Sequence, residues 1–452
     1  MDILGQDGPA AARSLRQTLG ISQSSFSRLA QSLGDELLRV GRARSTRYAR
    51  PRRIDGVTSP IPVYEVRPKG EAQNVFLLHP VMPEGFWMEN LTEGRGSFHE
   101  GLPWFLQDLR PSGFIGRLVP RRHPDLDVPG DVRFWSTEHL LRYVTRHGWD
   151  LPGAFIVGDA PYATWLDQIS RPGNAVDAED RQVRYPAIAN AALGFGVPGS
   201  SAAGEQPKFL ATRRTNDSQQ KAGEKCRLTP VLVKFSPPGE EAASRRVADL
   251  LVAEHLALET LRAHAVPTAH SVVFTGAGRT FLEVERFDRV GTRHRRGVCS
   301  LDALDCAFVG RDRSDWIGCV DALVHQRLMS SDVLPPVRLL ELFGLLIGNM
   351  DMHFGNLAFY LDGVRVTGLA PVYDMLPMFY APRHGELTET LHSLPLPSPA
   401  WGDAALPAIA AAEDFWTGVA RAPDISPEFR RIGEENARRI AALRDAVRHL
   451  PV

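Results

Sequence analysis

The segment from residue 349 to 374, NMDMHFGNLAFYLDGVRVTGLAPVYD, carries the side chains whose types and spacing could do chemistry. Asp351 and Asn356 stand five apart, and Asp374 follows eighteen residues after Asn356. A strand, an Asp362-Gly363 turn and a second strand fill the interval. Phosphoryl-transfer centres have this layout: one aspartate accepts the substrate hydroxyl proton, an amide five residues on holds Mg2+, and a second aspartate beyond a β-hairpin holds Mg2+ under the phosphates of ATP. Asp351 is thus the candidate base, and Asn356 and Asp374 are candidate metal ligands. Such transfer rests on positioning and charge neutralisation more than on covalent chemistry, so the rest of the chain must supply cations and a phosphate cradle.

The chain has only five lysines among 52 basic residues: Lys69, Lys208, Lys221, Lys225 and Lys234. Lysine in so arginine-rich a chain is informative where a compact ammonium is wanted. VLVKFS, residues 231 to 236, has a buried-strand pattern with Lys234 at its centre, and a lysine there is costly unless paired. The following helix, ASRRVADLLVAEHLALETLRAHA, places Glu254 on the same stripe as Val247, Leu250, Leu251, Leu258 and Leu261. A buried lysine and a buried glutamate in this order make the ion pair that positions the α- and β-phosphates of ATP. The alternative is a lysine that snorkels to water and a glutamate at the margin of the stripe.

GVPGSSAAGEQPKFL, residues 196 to 210, is rich in small residues between apolar runs. Gly196, Gly199 and Gly204 allow the backbone to turn N–H groups toward an anion, and Ser200 and Ser201 add hydroxyls. Lys208 ends the loop within reach of a phosphate. The same composition also suits a plain turn. FLEVERFDRV, residues 281 to 290, is a strand that turns polar, and adenine would meet its backbone near Glu285 and Phe287; the alternative is an edge strand with a solvated ion-pair cluster.

Residues 9 to 54 read as a winged helix-turn-helix. One helix ends at Gly20, and a second begins at the N-cap Ser22 with Phe26, Leu29 and Leu33 in an apolar stripe. From Arg39 to Arg53 there are seven arginines and no acid. That distribution suits a reading helix with Gln23, Ser24, Ser25, Ser27 and Arg28 at base edges, and Arg42, Arg44 and Arg47 on phosphates. A solvated basic tail or a protein-docking arm is the other reading.

Composition constrains the rest. A chain of 452 residues is long for one core. The divisions expected are 1–55, 56–150, 151–297 and a helical 298–452, in an α+β architecture. No apolar run approaches a membrane span, and the N-terminus lacks the basic and apolar regions of a secretory signal. The four cysteines have no C-x-x-C spacing and read as reduced thiols of a cytoplasmic protein.

Taken in order, SAAGEQPK, LVKF, VERFDR, NMDMHFGN and LAPVYDM resemble the HipA family of bacterial serine/threonine kinases, toxins of type II toxin–antitoxin modules, over about residues 56 to 450. The resemblance implies a two-lobed, protein-kinase-like fold with a mostly helical C-lobe. It implies ATP and Mg2+ as cofactors and His353 as a brace of the catalytic loop beside Asp351. The implied nucleotide set is Ser200, Ser201, Gly204, Gln206, Lys208, Lys234, Glu254, Glu285 and Phe287. It further implies autophosphorylation of Ser201 or its neighbour Ser200, which ejects the loop and switches the enzyme off. The implied target is a translation component such as an aminoacyl-tRNA synthetase.

Several features depart from the family: Glu205 and Pro207 in the loop, the polar stretch TRRTNDSQQKAGEK before Lys234, and HRRGVCSLDALDC after RFDR. Family members usually borrow DNA binding from a separate antitoxin, so a self-carried winged helix implies regulation in cis or a changed partner arrangement. The competing functions are a DNA-binding regulator that only senses nucleotide, a small-molecule kinase, and a metal-dependent nuclease. The last leaves Lys234 and the 196–208 loop without a role, and two-metal nucleases place their carboxylates in closer bridging pairs.

Overall fold

The computed structural model describes residues 2–41, 46–69, 71–170, 175–194, 206–215, 227–311, 315–388, 390–396 and 398–448. The chain forms two compact units, Met1–Ser112 with Val119–Arg171, and Gly113–Leu118 with Pro172–Val452. No helix among the described residues is long and apolar enough to cross a membrane.

The first unit opens with helices Asp2–Gln6, Ala12–Leu19 and Gln23–Ser32, followed by strands Leu38–Val40 and Arg47–Ala49. Gly20 ends the second helix with φ 65°, a left-handed conformation that glycine adopts without the Cβ penalty. The Ser22 hydroxyl accepts the Ser25 N–H and starts the next helix. Leu4, Leu15 and Phe26 form the core here, with Tyr48 edge-on to Phe26 at 5.0 Å. Arg47–Ala49 pairs antiparallel with both Leu38–Val40 and Ala10–Ala11.

The chain then enters a five-stranded antiparallel sheet in the order Arg95–His99, Phe86–Asn90, Gln73–Pro80, Ile61–Glu65, Phe155–Val157. Two expected divisions are corrected at this point. Residue 55 does not separate two cores, because Val40 and Ala49 pack with Val81 and Trp87 of the following sheet. Residue 150 is not a boundary either: Phe155–Val157 pairs with Ile61–Glu65, and the helix Asp159–Ser170 packs Trp165 against Val66 and Ile156. The crossing at 150 has a plain cause. Strand order across a sheet is non-local, and composition along the chain does not record it.

The second unit starts from a sheet ordered Ser271–Gly276, Arg279–Glu285, Arg227–Phe235, Lys208–Thr215, Ala175–Asp177. All its pairs are antiparallel except the last. Successive side chains on a strand face opposite sides. Val231, Val233 and Phe235 therefore pack with Tyr185 and Ala189 of the helix Arg181–Gly194 on one face. On the other face Leu282 and Val284 pack with Leu251 of the helix Ala242–Ala263. Lys234, between Val233 and Phe235, must turn to this second face.

Beyond the sheet the unit is mainly helical: Leu301–Phe308, Trp316–His325, Leu334–Ile347, Ala405–Arg421 and Pro427–Arg448. The hairpin expected after Asn356 is present as Ala358–Asp362 and Arg365–Leu369, with Gly363 at φ 58° in the turn. It gains a third strand, Gly297–Ser300, which pairs with Ala358–Asp362. The expected division at 297/298 therefore cuts through this strand.

The helical layer buries His392 at 2% exposure. Its Nε2 faces the Leu346 carbonyl at 3.0 Å, and its Nδ1 faces the Tyr380 hydroxyl at 3.0 Å. That hydroxyl already accepts from Asn436 Nδ2, so it donates its own proton to His392, which fixes a neutral ring protonated at Nε2. Burial lowers the His392 pKa to about 4, with Arg439 adding to the effect and the Leu346 carbonyl opposing it. The sign follows from a folded value below the ordinary one. Stability held above pH 6.5 is lost as pH falls toward 4, by up to about 3 kcal/mol. The His392→Gln variant keeps a donor and an acceptor but does not titrate. Its stability difference from the wild type in thermal unfolding should therefore shrink between pH 7 and pH 4.5, whereas a difference constant across that range would contradict the assignment.

Candidate active site

Lys234 is 4% exposed and Glu254 is 1% exposed. The Lys234 Nζ donates to both Glu254 carboxylate oxygens at 2.7 Å and to Asp374 Oδ1 at 2.5 Å. The ammonium from the sheet thus sits between an acid from the helix Ala242–Ala263 and an acid that follows the hairpin. Sequence periodicity anticipates the first contact. The second depends on tertiary packing across 140 residues of chain and carries no local signal.

Burial alone would depress the Lys234 ammonium, but the Asp374 and Glu254 carboxylates outweigh it and raise its pKa, so the ammonium keeps its proton. Asp374 shows the reverse balance. Burial pushes it up, yet Lys234 and Lys208 hold its carboxyl down at about 2. Glu254 is the softer acid of the two. Its burial pushes it up, with Lys234 drawing it back and Asp374 adding to the rise. One cation shared by two carboxylates leaves the more deeply buried one less stabilised.

Lys208 begins its strand directly opposite Lys234 in the pairing register, so both lie on the same face. Its charge acts on Asp374, Glu254 and Asp351 alike. Two ammonium groups side by side are tolerated because three carboxylates surround them. Gln206 donates its Nε2 to the Phe235 carbonyl at 2.8 Å, which ties the end of the preceding loop to the sheet. Ser200, Ser201 and Gly204 lie outside the described residues, as do Arg42 and Arg44.

The segment around Asp351 is held by its own polar groups. Asn349, 4% exposed, accepts the Asp351 N–H on its Oδ1 at 3.1 Å and donates Nδ2 to Met375 Sδ at 3.4 Å. Asn356 Nδ2 donates to the Asp351 carbonyl at 2.7 Å. His353 Nδ1 accepts the Gly355 N–H at 3.0 Å, and the Tyr373 hydroxyl donates to the Gly355 carbonyl at 2.6 Å. Sequence reading missed Asn349 and Tyr373 as braces. Both flank the residues it selected, and only the folded loop shows what they reach.

Asp351 is exposed as a residue, but its carboxyl is desolvated enough to raise its pKa. His353 draws it back, Asp374 pushes it further up, and Lys208 and Lys234 oppose. A carboxylate raised toward neutrality is a better proton acceptor than an ordinary surface aspartate. Asp374 has φ 67°, in the left-handed region that few non-glycine residues enter, although aspartate does so more readily than most.

The donor set suits a hard divalent cation. Asn356 commits its amide nitrogen to the Asp351 carbonyl, which leaves Oδ1 as the ligand atom it has to offer, and Asp374 stays ionised over the physiological range. One carboxylate and one amide oxygen match the sparse protein ligation of Mg2+, whose other positions go to water and phosphate oxygens.

The segment expected at adenine is engaged differently. The Glu285 N–H is donated to the His270 carbonyl at 2.7 Å, and its carboxylate accepts from Arg213 at 2.6 Å. Glu285 is thus the last residue of the strand Arg279–Glu285, with its own partners in the sheet. Phe287 packs beside Leu251, Leu282 and Val284, with Tyr373 at 5.6 Å and Tyr360 at 6.3 Å between ring centroids. In the first unit, Gln23, Ser24, Ser27 and Arg28 are exposed along the helix whose Phe26 is buried, while Ser25 and Arg47 are half-buried. Gln23 accepts from Arg16 at 2.9 Å.

Comparisons with known proteins agree with this order of parts. Residues 57–166 match the family described as YjjJ-like toxin, middle domain, and residues 200–442 match the HipA-like C-terminal domain. The chain is 37% identical over 453 residues to toxin YjjJ of Escherichia coli K12, covering 99% of this chain and 98% of that protein. The HipA of Shewanella oneidensis MR-1, solved in a toxin–antitoxin complex with HipB and operator DNA, shares the fold at TM-score 0.51 and 14% identity. That alignment covers 86% of this chain and all of the other. The Helicobacter pylori proinflammatory kinase CtkA aligns over 50% of this chain and 92% of its own, at 13% identity and a TM-score of 0.35, too low to bear on the fold.

Proposed function

Because the chain belongs to the HipA-like toxin family, with a YjjJ-like middle domain, we propose that it is an ATP- and Mg2+-dependent serine/threonine kinase that phosphorylates itself and a protein target. The observation that carries this reading is the Lys234 ammonium held between Glu254 and Asp374. Two acids and one buried cation without a further charge to neutralise are an expensive way to build a core. They make sense where polyphosphate and metal enter beside them. Lys234 and Lys208 would hold phosphate oxygens, Asn356 and Asp374 would hold Mg2+, and Asp351 would take the acceptor hydroxyl proton. Bound Mg2+ would neutralise charge that develops on the phosphates.

The proposed autophosphorylation site is Ser201, or Ser200 beside it. Purified protein given γ-labelled ATP and Mg2+ should incorporate label on serine in the 200–201 peptide, and EDTA should abolish it. Absence of label with Mg2+ present, at concentrations where nucleotide is bound, would count against a kinase. The proposed target is a translation component, an aminoacyl-tRNA synthetase among the candidates. Phosphoproteomics after brief induction would identify it.

The first unit supports a second component of the same function: DNA binding, for regulation in cis or alongside an antitoxin. The exposed face of Gln23–Ser32 presents hydroxyls, an amide and Arg28, beside an arginine-rich hairpin. Affinity for operator DNA should fall steeply with salt. Removing Arg44 and Arg47 together should flatten the log–log salt slope by about two if both meet phosphate. An unchanged slope assigns the hairpin another role.

A further inference from the structure

We propose that His123, Asp125 and His147, in the first unit, form a binding site for a transition-metal ion of the zinc class. The ligand atoms of these three residues lie within 4.8 Å of one another. His123 and Asp125 flank Pro124 in a tight turn, and His147 is the last residue of the helix Thr137–His147. The site is independent of the phosphoryl-transfer residues, all of which belong to the second unit.

The turn is fixed in place. Pro124 opens a short 3-10 turn, Leu126 is buried at 1% exposure, and Asp127 closes it at φ 49°. The helix that carries His147 pins the turn from the other side. Arg146 Nη1 donates to the Asp125 carbonyl at 3.3 Å, and Arg142 Nη1 donates to the Asp127 carbonyl at 3.2 Å. The pinned backbone confines the reordering that coordination requires to side-chain torsions.

One pair of donors already has the spacing of a shared ion. His147 Nε2 and Asp125 Oδ2 are 3.3 Å apart, long for a charge-assisted hydrogen bond. Two donors about 2.0 Å from one ion at tetrahedral angles are separated by about 3.3 Å. The imidazoles of His123 and His147 lie face to face, with centroids 3.9 Å apart and planes 22° apart, so their in-plane lone pairs meet on one ion once one ring turns about its side-chain torsions. The His123 ring makes no hydrogen bond among the described residues, which leaves its nitrogens available to an ion.

The surrounding charge selects the metal. Arg146 Nη1 is 3.9 Å from Asp125 Oδ2, and the Arg122 charge acts on His123. Cations so close disfavour an ion held by charge alone, such as Ca2+ or Mg2+. They leave ions that form strong bonds to imidazole nitrogen. Two histidines and one carboxylate make three protein ligands, which leaves one position for water or an external group.

The test uses the untagged full-length chain, stripped with chelator and titrated with Zn2+ and with Co2+ as a spectroscopic probe. One equivalent should bind, with intense visible Co2+ bands of low coordination number and no competition from millimolar Mg2+. His123→Ala, Asp125→Ala and His147→Ala should each weaken binding by about 100-fold or more, since even an outer partner of a metal ligand is worth 10- to 100-fold. Circular dichroism of each variant in chelator should match the wild type, which separates ligand loss from misfolding. Asp125 is exposed, so its variant should fold whatever the others do. Equal Zn2+ affinity and stoichiometry in the wild type and the triple variant would overturn the proposal.

Discussion

The Lys234→Met variant should lose phosphoryl transfer by about a hundred- to a thousandfold, the range for deleting one preorganised electrostatic partner of a transition state. It should also be less stable by about 3–5 kcal/mol, because removing one partner of a buried ion pair strands the other. Two carboxylates are stranded here, Glu254 at 2% and Asp374 at 27% side-chain exposure. Glu254 bears most of the cost, since water reaches Asp374. The double variant Lys234→Met with Glu254→Leu replaces the ammonium–carboxylate pair by apolar groups, a change that is often neutral or stabilising. It should therefore recover most of the stability and none of the transfer. Denaturant midpoints and labelling by γ-labelled ATP read the two properties separately. If the double variant recovers transfer along with stability, the lysine is a structural ion and the nucleotide assignment fails.

The same contrast shows what could be read along the chain. Lys234 and Glu254 were legible because each breaks a local rule: an ammonium inside an apolar strand and a carboxylate on an apolar stripe. The hairpin after Asn356 was legible because alternating residues flank an Asp-Gly turn. The Lys234–Asp374 contact was not, because no pattern ties residues 140 positions apart. The partner of Glu285 was not legible for a related reason. The Glu285 carboxylate is met by Arg213 from two strands away across the sheet, a pairing that no local pattern records. The expected division at 150 is crossed by sheet pairing, where Phe155–Val157 returns to an edge formed ninety residues earlier. Local chemistry survives in sequence, and the order of strands in a sheet does not.

The two aspartates should separate cleanly when each is changed to asparagine. Asp351→Asn removes the proposed proton acceptor, and transfer should fall by about 10^2- to 10^4-fold, the range for general-base catalysis. Nucleotide affinity should stay near that of the wild type, because Asp351 bonds to Asn349 and Asn356 through its backbone N–H and carbonyl, neither of which the substitution touches. Asp374→Asn acts on the other property. Asparagine tolerates the left-handed backbone at φ 67°, whereas alanine would add about 1–2 kcal/mol of strain, so asparagine isolates the charge. The loss of an anion held at about 2 removes the main carboxylate available to a divalent ion. Fluorescent-nucleotide titration should then show affinity that no longer rises with Mg2+, together with loss of transfer. Lys234 keeps Glu254 as a partner, so the fold should persist. Mg2+-dependent nucleotide binding that survives in Asp374→Asn but disappears in Asp351→Asn would exchange the two roles and place the metal on the other side of the loop.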